Sequence, residues 1–221
     1  MTHRPGPQGP GHFYQKTDKP GLSKGDGCAI MGEGGAPDNG NIIDTEDMDM
    51  ANLIVYYSRK GQNYWNGSVV DLVKGNTERV AEFVQKAVGG DLFEIETVRE
   101  YSKDYMVCID EAKAELREHA RPELKRYPDS IDRYDTIFVG YPNWWGTMPM
   151  CVYTFLEHFD LTGKKIAPFC TNEGSGMGSS ERELKKVCKG ATVAPGLSIH
   201  GAEAAQSESK VTDWLTKLGI E

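Results

Sequence analysis

The chain has 221 residues and a formal net charge of −8 at pH 7, with 38% hydrophobic and 26% charged residues. These values are typical of a globular protein with a real core, and the length suits one large domain or two small ones. The acidic balance, without any basic run, argues against a nucleic-acid backbone as a partner. A membrane-spanning helix is also not expected, because no apolar run reaches about 18 residues.

The first 49 residues differ in composition from the rest of the chain. They are rich in Gly, Pro, Asp and Asn, show no helical or strand periodicity, and hold four basic residues against eight acidic ones. Such a segment lacks the apolar mass needed to offset the entropy of ordering. We therefore predict a disordered N-terminal extension at 1–49 and a globular domain at 50–221. Met50, which a predicted strand follows directly, has the position of a natural translation start.

From residue 50 onward, short apolar segments alternate with amphipathic ones. Strands are predicted at 52–58, 91–97, 135–142 and 164–171, with a broken fifth strand at 191–201. Helices are predicted at 76–88, 104–119 and 149–159, from 180 to about 188, and at about 207–218. Ser180 and Glu183 fit a capping box at the start of the fourth helix. The alternation predicts an α/β fold: a three-layer, doubly wound, five-stranded parallel sheet.

The segment at 61–75 looks like an insertion between the first strand and the first helix. Asn66-Gly67 stands between apolar residues, which is a hairpin signal. Tyr64 and Trp65 either border a ligand or pack the hairpin down, and packing is the favoured interpretation.

In a parallel α/β sheet, ligands bind beyond the carboxyl ends of the strands. After the first strand, Gly75, Asn76 and Thr77 open a helix and so offer an anion site with free backbone N–H groups. The alternative is that Asn76 is simply an N-cap. The loop matches neither the P-loop nor the GxGxxG dinucleotide pattern.

Two further loops follow the third and fourth strands. In "PNWWGTMP", Trp144 and Trp145 offer flat aromatic surface for stacking, although an exposed protein-binding patch is the alternative. In "TNEGSGMGSS", three glycines at 174, 176 and 178 let the backbone approach a ligand closely; the loop does not fit the GxSxG nucleophile elbow. A planar heterocycle that carries one phosphate suits the three loops together.

The five cysteines argue against a disulfide framework. Their number is odd, their spacings are wide and no CxxC occurs, which also argues against a zinc site. Reduced, buried thiols in a cytoplasmic protein are the expectation, with Cys170 as a small core residue. None of the five histidines pairs with another at the spacing of metal ligands.

The motifs "YYSRKG…KGNTERVA", "GYPNWWGTMPM" and "FLEHFDLTGKKIAPFCTNEGSGMGSSE" resemble those of the flavodoxin-like FMN proteins. The resemblance runs from about Leu53 to Leu218 and is strongest to the bacterial subgroup of flavodoxins and NAD(P)H-dependent flavin oxidoreductases. It implies a flavodoxin-like fold and FMN as the cofactor, with no catalytic side chain or metal needed, since the cofactor carries the chemistry.

The resemblance also implies three sets of cofactor-binding residues. The phosphate loop would be Ser58, Arg59, Lys60, Asn76 and Thr77. The loop over one face of the flavin ring would be Pro142, Asn143, Trp144, Trp145, Gly146 and Thr147. The loop at the pyrimidine edge would be Thr171, Asn172, Glu173, Gly174, Ser175 and Gly176. The sequence departs from the family pattern at Asn143, at Cys151 and at Asn172, where a histidine is commoner, and the insertion splits the first loop.

Two functions follow from the resemblance as expectations. One is an FMN oxidoreductase that passes electrons from NAD(P)H to a quinone or a similar small acceptor. The alternative is a flavodoxin-type one-electron carrier between protein redox partners. A cofactor-free signalling receiver of the same architecture is disfavoured, because Ser58 and Pro142 stand where acidic residues would be needed. The acidic surroundings predict a low reduction potential.

Overall fold

The computed structural model describes residues 51–220. The predicted extension at 1–49 lies outside the described residues and stays a prediction. Within the described part, the strands and helices follow the predicted order, and their ends differ from the predicted ones by a few residues.

The described residues contain eight strands, six in the main sheet and two in a separate hairpin. The strands are β1 (Ala51–Tyr56), β2 (Gly61–Trp65), β3 (Ser68–Leu72), β4 (Asp91–Glu94), β5 (Tyr134–Pro142), β6 (Lys165–Asn172), β7 (Thr192–Val193) and β8 (Leu197–His200). The sheet runs in the order β4-β1-β5-β6-β7, and β8 also pairs with β6. All of these pairings are parallel.

The fifth position of the sheet is shared by β7 and β8. Both pair with β6, one near its start and the other near its end, and Pro195 and Gly196 lie between them. A proline cannot donate a ladder hydrogen bond, so it interrupts the strand. The predicted broken fifth strand is confirmed.

Helices cover both faces of the sheet, as the doubly wound prediction requires. They are α1 (Asn76–Val88), α2 (Tyr105–Glu118), α3 (Met150–His158), α4 (Ser180–Val187) and α5 (Glu208–Lys217). On β1, Ile54 faces a buried cluster with Val84 of α1 and Trp214 of α5, whereas Leu53 faces the cluster that contains Phe155 of α3 and Leu184 of α4. The period of two in a strand is what sends these neighbours to opposite layers.

The predicted hairpin is also confirmed. Strands β2 and β3 pair antiparallel as a separate two-stranded sheet. Asn66 and Gly67 both have positive φ, at 47° and 92°, as a tight two-residue turn between such strands requires.

The predicted capping box at Ser180 is wrong. Ser180 is the first residue of α4 rather than its N-cap, and no side-chain hydrogen bond caps this helix. The Ser180 hydroxyl is buried and instead accepts a hydrogen bond from Tyr141 Oη at 2.8 Å. Glu183 forms an ion pair with Lys186 at 2.8 Å. Tertiary packing against β5 has therefore taken over the hydroxyl that local sequence would assign to the cap.

Candidate functional site

A cleft lies at the carboxyl ends of β1, β5 and β6, with a cavity volume of about 170 Å³. Ten of the predicted cofactor-binding residues line it: Arg59, Asn76, Thr77, Pro142, Asn143, Trp144, Thr171, Asn172, Glu173 and Ser175. The other seven, Ser58, Lys60, Trp145, Gly146, Thr147, Gly174 and Gly176, do not line it.

The N-terminus of α1 forms one end of the cleft. Its N-cap is Gly75, which has no side chain that could form a capping hydrogen bond. Asn76 is therefore the first helical residue and not the cap. Ser58 Oγ accepts from the N–H of Glu78 at 3.0 Å, and the two helical residues before Glu78 line the cleft. A Cβ on Gly75 would overlap Ser58 Oγ and the Arg59 carbonyl, so only glycine permits this approach.

Two polar side chains project from that helix end. Within residues 51–220, Asn76 Oδ1 is buried without a hydrogen-bond partner. Thr77 is buried, and its hydroxyl lies 2.8 Å from that of Thr171. As placed, the unpaired atom is an acceptor; with the amide turned by 180°, its Nδ2 would donate to an anion at the positive end of the helix.

Arg59 and Lys60 both act within the protein. The Arg59 guanidinium donates to the carbonyls of Gln62, Ser102 and Lys103 at 2.7 to 2.9 Å, so it joins the inserted hairpin to the loop before α2. Lys60 turns out of the cleft and forms ion pairs with Glu78 and Glu94.

The two adjacent tryptophans have different environments. Trp144 lines the cleft and packs edge-on against Tyr57 and Tyr101, with ring centroids 5.3 and 5.1 Å apart. Trp145 has a φ of 54° and is 47% exposed. Its indole N–H donates to the Ile109 carbonyl of α2 at 2.9 Å. Only Trp144 therefore borders the cleft.

Asn143 joins the two loops that follow β5 and β6. Its Nδ2 donates to the Gly176 carbonyl at 2.8 Å, and its Oδ1 accepts from the Gly146 N–H at 2.9 Å. The Gly146 carbonyl in turn accepts from the Ser179 N–H at 2.7 Å. Thr147 is buried, with its hydroxyl 3.0 Å from Tyr153 Oη. These loops therefore hold each other in shape without a ligand.

Asn172 shapes the loop after β6 in the same way. Its Oδ1 accepts from the N–H groups of Gly174 and Gly176, both at 3.0 Å. Its Nδ2 donates to Ser198 Oγ and to the Ile199 carbonyl. The side chain therefore folds the turn and has no donor left for a ligand.

Glu173 lies where several elements meet. Its Oε2 accepts from the N–H of Asn66 at 3.0 Å, at the tip of the hairpin. The same oxygen lies 3.6 Å from His200 Nε2. A Cβ on Gly201 would overlap the Glu173 carboxylate and lie 2.7 Å from Asn76 Nδ2, so the carboxylate and the α1 N-terminus are close.

Sequence reasoning missed three residues that line the cleft, Asn63, Tyr105 and Gly201, and favoured a packing role for a fourth, Tyr64. Tyr64 stacks on Tyr105 with ring centroids 6.2 Å apart and planes at 21°. Tyr64 therefore packs the hairpin against α2, as expected, and its ring also borders the cleft. The Asn66-Gly67 turn located the hairpin, but no sequence signal linked it to Tyr105.

The described cysteines offer no nucleophile. Four of them, Cys108, Cys151, Cys170 and Cys188, are free and buried. Burial raises the pKa of Cys108 to about 11 and those of Cys170 and Cys188 to about 12. They stay protonated at neutral pH and are therefore unreactive. Within residues 51–220, no cluster of three or more His, Cys, Asp or Glu is arranged to hold a metal.

No helix within 51–220 has both the length and the apolar character that crossing a membrane would require.

Comparisons with known proteins agree with this fold. A family model described as Flavodoxin matches residues 70–218, more than half of the chain. The match begins within β3, so the first strand of the hairpin falls outside it. No functionally curated protein matches.

Solved structures share the fold. Candidate flavoproteins from Bacteroides eggerthii and Bacteroides uniformis are each 29% identical, with TM-scores of 0.63 and 0.62; they cover 77% and 75% of this chain and 99% and 97% of their own. A flavoprotein from Lactobacillus acidophilus, solved in complex with FMN, is 21% identical with a TM-score of 0.54, covering 71% of this chain and 97% of its own.

Proposed function

Because the chain belongs to the flavodoxin family, we propose that it binds FMN in this cleft and passes electrons from NAD(P)H to a quinone or a similar small acceptor. The observation that carries the proposal is the convergence of the α1 N-terminus, Trp144 and the loop at Glu173 on one cleft. The FMN complex of the similar L. acidophilus flavoprotein supports the choice of cofactor.

The α1 end of the cleft fits a phosphate. The amide of Asn76, whose Oδ1 has no partner, can turn its Nδ2 toward an anion, because a 180° rotation of the terminal amide exchanges the positions of its acceptor and its donor. The first N–H groups of α1, which have no partner within the helix, supply further donors and the positive end of the helix dipole. Gly201 keeps space open beside Asn76, since a Cβ there would press on its amide.

The other end of the cleft fits a planar ring. Trp144 presents a half-buried aromatic surface, and Asn143 and Asn172 hold the two adjoining loops in fixed shapes. When bound, FMN supplies the hydride and electron transfer. The residues of the chain then need only bind the ring, orient it and limit its contact with water.

Two features favour an enzyme with a small acceptor. The hairpin adds Tyr64 and Asn63 as a side wall of the cleft, which restricts the space beside the ring. The net charge of residues 50–221 is only −4, because 21 basic residues stand against 25 acidic ones. A protein partner steered by charge would need a stronger field. Lys60 adds no free positive charge near the cleft, since Glu78 and Glu94 pair with it.

The test uses the purified full-length chain. We expect a yellow protein that releases FMN on denaturation and oxidises NADH or NADPH rapidly when a quinone is present. A colourless protein that fails to bind added FMN would refute the cofactor. A protein that holds FMN but shows no turnover with either nucleotide would refute the enzyme and leave the carrier.

One observation favours the alternative, a one-electron carrier. Trp145, Met106 and Val107 are 47%, 61% and 49% exposed, and Trp145 adjoins Trp144 of the cleft. Exposed apolar side chains of this kind are common at protein-binding surfaces. If the protein is a carrier, Trp145→Ala slows electron exchange with a reductase or acceptor protein and leaves FMN binding unchanged.

The buried thiols support a reducing compartment. Four free cysteines without a disulfide among the described residues are usual in cytoplasmic proteins. We therefore assign the protein to the cytoplasm, which an extract fractionated into soluble and envelope parts would test.

A further inference from the structure

The inserted hairpin, β2 to β3 with its flanking residues to 74, is hydrogen-bonded to the domain at its base and at its tip, and Tyr64 also stacks on Tyr105 of α2. At its base, Arg59 donates to the Gln62 carbonyl, and Gln62 Oε1 accepts from the N–H of Tyr105 at 2.9 Å. At its tip, the N–H of Asn66 donates to Glu173 at 3.0 Å. The two strands of the hairpin pair only with each other among the described residues, so no sheet hydrogen bonds fix the tip.

Glu173 is shielded rather than solvated. Its side chain is 21% exposed, and its two oxygens face Asn66 and His200 on one side and Gly201 on the other. A glutamate on a loop ordinarily extends into water, because burying a carboxylate is costly unless it is hydrogen-bonded. Here the backbone N–H of Asn66 supplies one hydrogen bond in place of the lost water.

We infer that Glu173 is a positioning residue that fastens the tip of the hairpin across the cleft. The contact spans 107 residues of sequence and joins the loop after β6 to the insertion in the loop after β1. It keeps Asn63 and Tyr64 at the cleft, where they line its side. For a bound FMN, whose presence rests on the proposed function, this fastened wall slows release.

The first experiment measures amide hydrogen exchange in the protein without FMN. The Asn66 amide is protected in the wild type because it donates to the carboxylate, and Glu173→Ala removes that protection. Glu173→Gln keeps an acceptor oxygen and retains most of it. Glu203→Ala is the matched control: Glu203 is an exposed acid that pairs with Lys210 instead. Equal exchange of Asn66 in the wild type and in Glu173→Ala would overturn the inference, whether or not the protein binds FMN.

The second experiment measures FMN dissociation by the rise in flavin fluorescence after dilution. We expect Glu173→Ala to speed dissociation about tenfold, which corresponds to about 1.4 kcal/mol, and Glu173→Gln to stay within about twofold to threefold of the wild type. A variant that lacks 61–74 and joins Lys60 to Gly75 should release FMN at least as fast. The join is feasible because Gly75 already lies against Ser58 and Arg59.

The two changes are then combined. If Glu173 acts through the hairpin, Glu173→Ala has no further effect in the variant that lacks 61–74. A tenfold effect that persists without the hairpin would show that Glu173 acts on the cofactor directly and would overturn the inference. Should the shortened variant fail to fold, the Asn66 exchange and the Gln variant still decide the question. Absence of FMN binding in every variant would instead count against the proposed function.

Discussion

The loops at 142–147 and 171–179 are hydrogen-bonded to each other, whereas the hairpin at 61–74 is held by contacts with residues of other segments. Between the two loops, Asn143 and Gly146 bond to Gly176 and Ser179 over short distances, and both loops continue paired strands of the sheet. The hairpin depends on Arg59 at its base and Glu173 at its tip. We infer that one side of the cleft is preformed by the sheet, while the other depends on a few long-range contacts.

The largest effect on stability is expected from a substitution that disrupts the contact between the two loops. Gly178 has a φ of 56°, and a Cβ there would overlap the Gly146 carbonyl. Gly178→Ala combines backbone strain with overpacking and should lower the free energy of unfolding by about 3 kcal/mol or more. Urea denaturation measures this change. In Gly163→Ala, where φ is 80° with open space around, only the strain remains, at about 1 kcal/mol; equal losses in the two variants would contradict the close contact between the two loops.

Removing the Arg59 side chain at the base of the hairpin should have the next largest effect on stability. Arg59→Ala leaves the carbonyls of Gln62, Ser102 and Lys103 without their donor and should cost about 2 to 3 kcal/mol of unfolding free energy. Arg59→Lys should recover less than half, since an ammonium cannot reproduce the planar fork of a guanidinium. Arg117→Ala is the control, because that side chain is 78% exposed. Full stability in Arg59→Lys would show that charge alone suffices.

The two tryptophans separate the cleft from the outer surface. Trp144→Ala should weaken FMN binding by about 1 to 3 kcal/mol, the usual range for stacking on an aromatic ring. Trp145→Ala should change it by less than about twofold, because that ring lies outside on α2. Titration of the protein freed of FMN, followed by flavin fluorescence, compares the two. Similar losses in both variants would contradict the assignment of the cleft to Trp144 alone.

The smallest expected effect concerns the charge of Glu173 rather than its hydrogen bond. Negative charge near the cofactor disfavours the addition of electrons, so Glu173→Gln should raise the midpoint potential of bound FMN. One charge in a partly solvated cleft is worth about 1 kcal/mol, or some tens of millivolts. Spectroelectrochemical titration measures the shift, with Glu203→Gln as the control. A lowered potential would contradict the assigned position of the carboxylate in the cleft.

Most of the framework could be predicted from sequence because its signals are local. The apolar periodicity located five helices and the strands of the sheet, and Asn66-Gly67 located the turn of the hairpin. The rule that ligands bind at the carboxyl ends of parallel strands then selected three loops that all contribute residues to the cleft. Ten of the seventeen residues assigned through the family resemblance line the cleft.

Sequence patterns gave less guidance where a side chain has a distant partner. Lys60 follows the motif of a phosphate loop, yet Glu94, on the next strand of the sheet, turns it away. Ser180 has the spacing of a capping box, yet Tyr141 holds its hydroxyl. Tyr105 and Gly201 carry no motif and reach the cleft only because the fold brings them there.

The sequence by itself determined the layers, the order of the elements and the edge of the sheet at which the site lies, because periodicity and chain connectivity depend on neighbours along the chain. Only the tertiary structure decided which tryptophan borders the cleft and what holds the hairpin. The positive φ of Trp145 turns its ring toward α2, and Glu173 meets Asn66 across 107 residues. Such contacts depend on where the chain returns in space, and no local pattern encodes that.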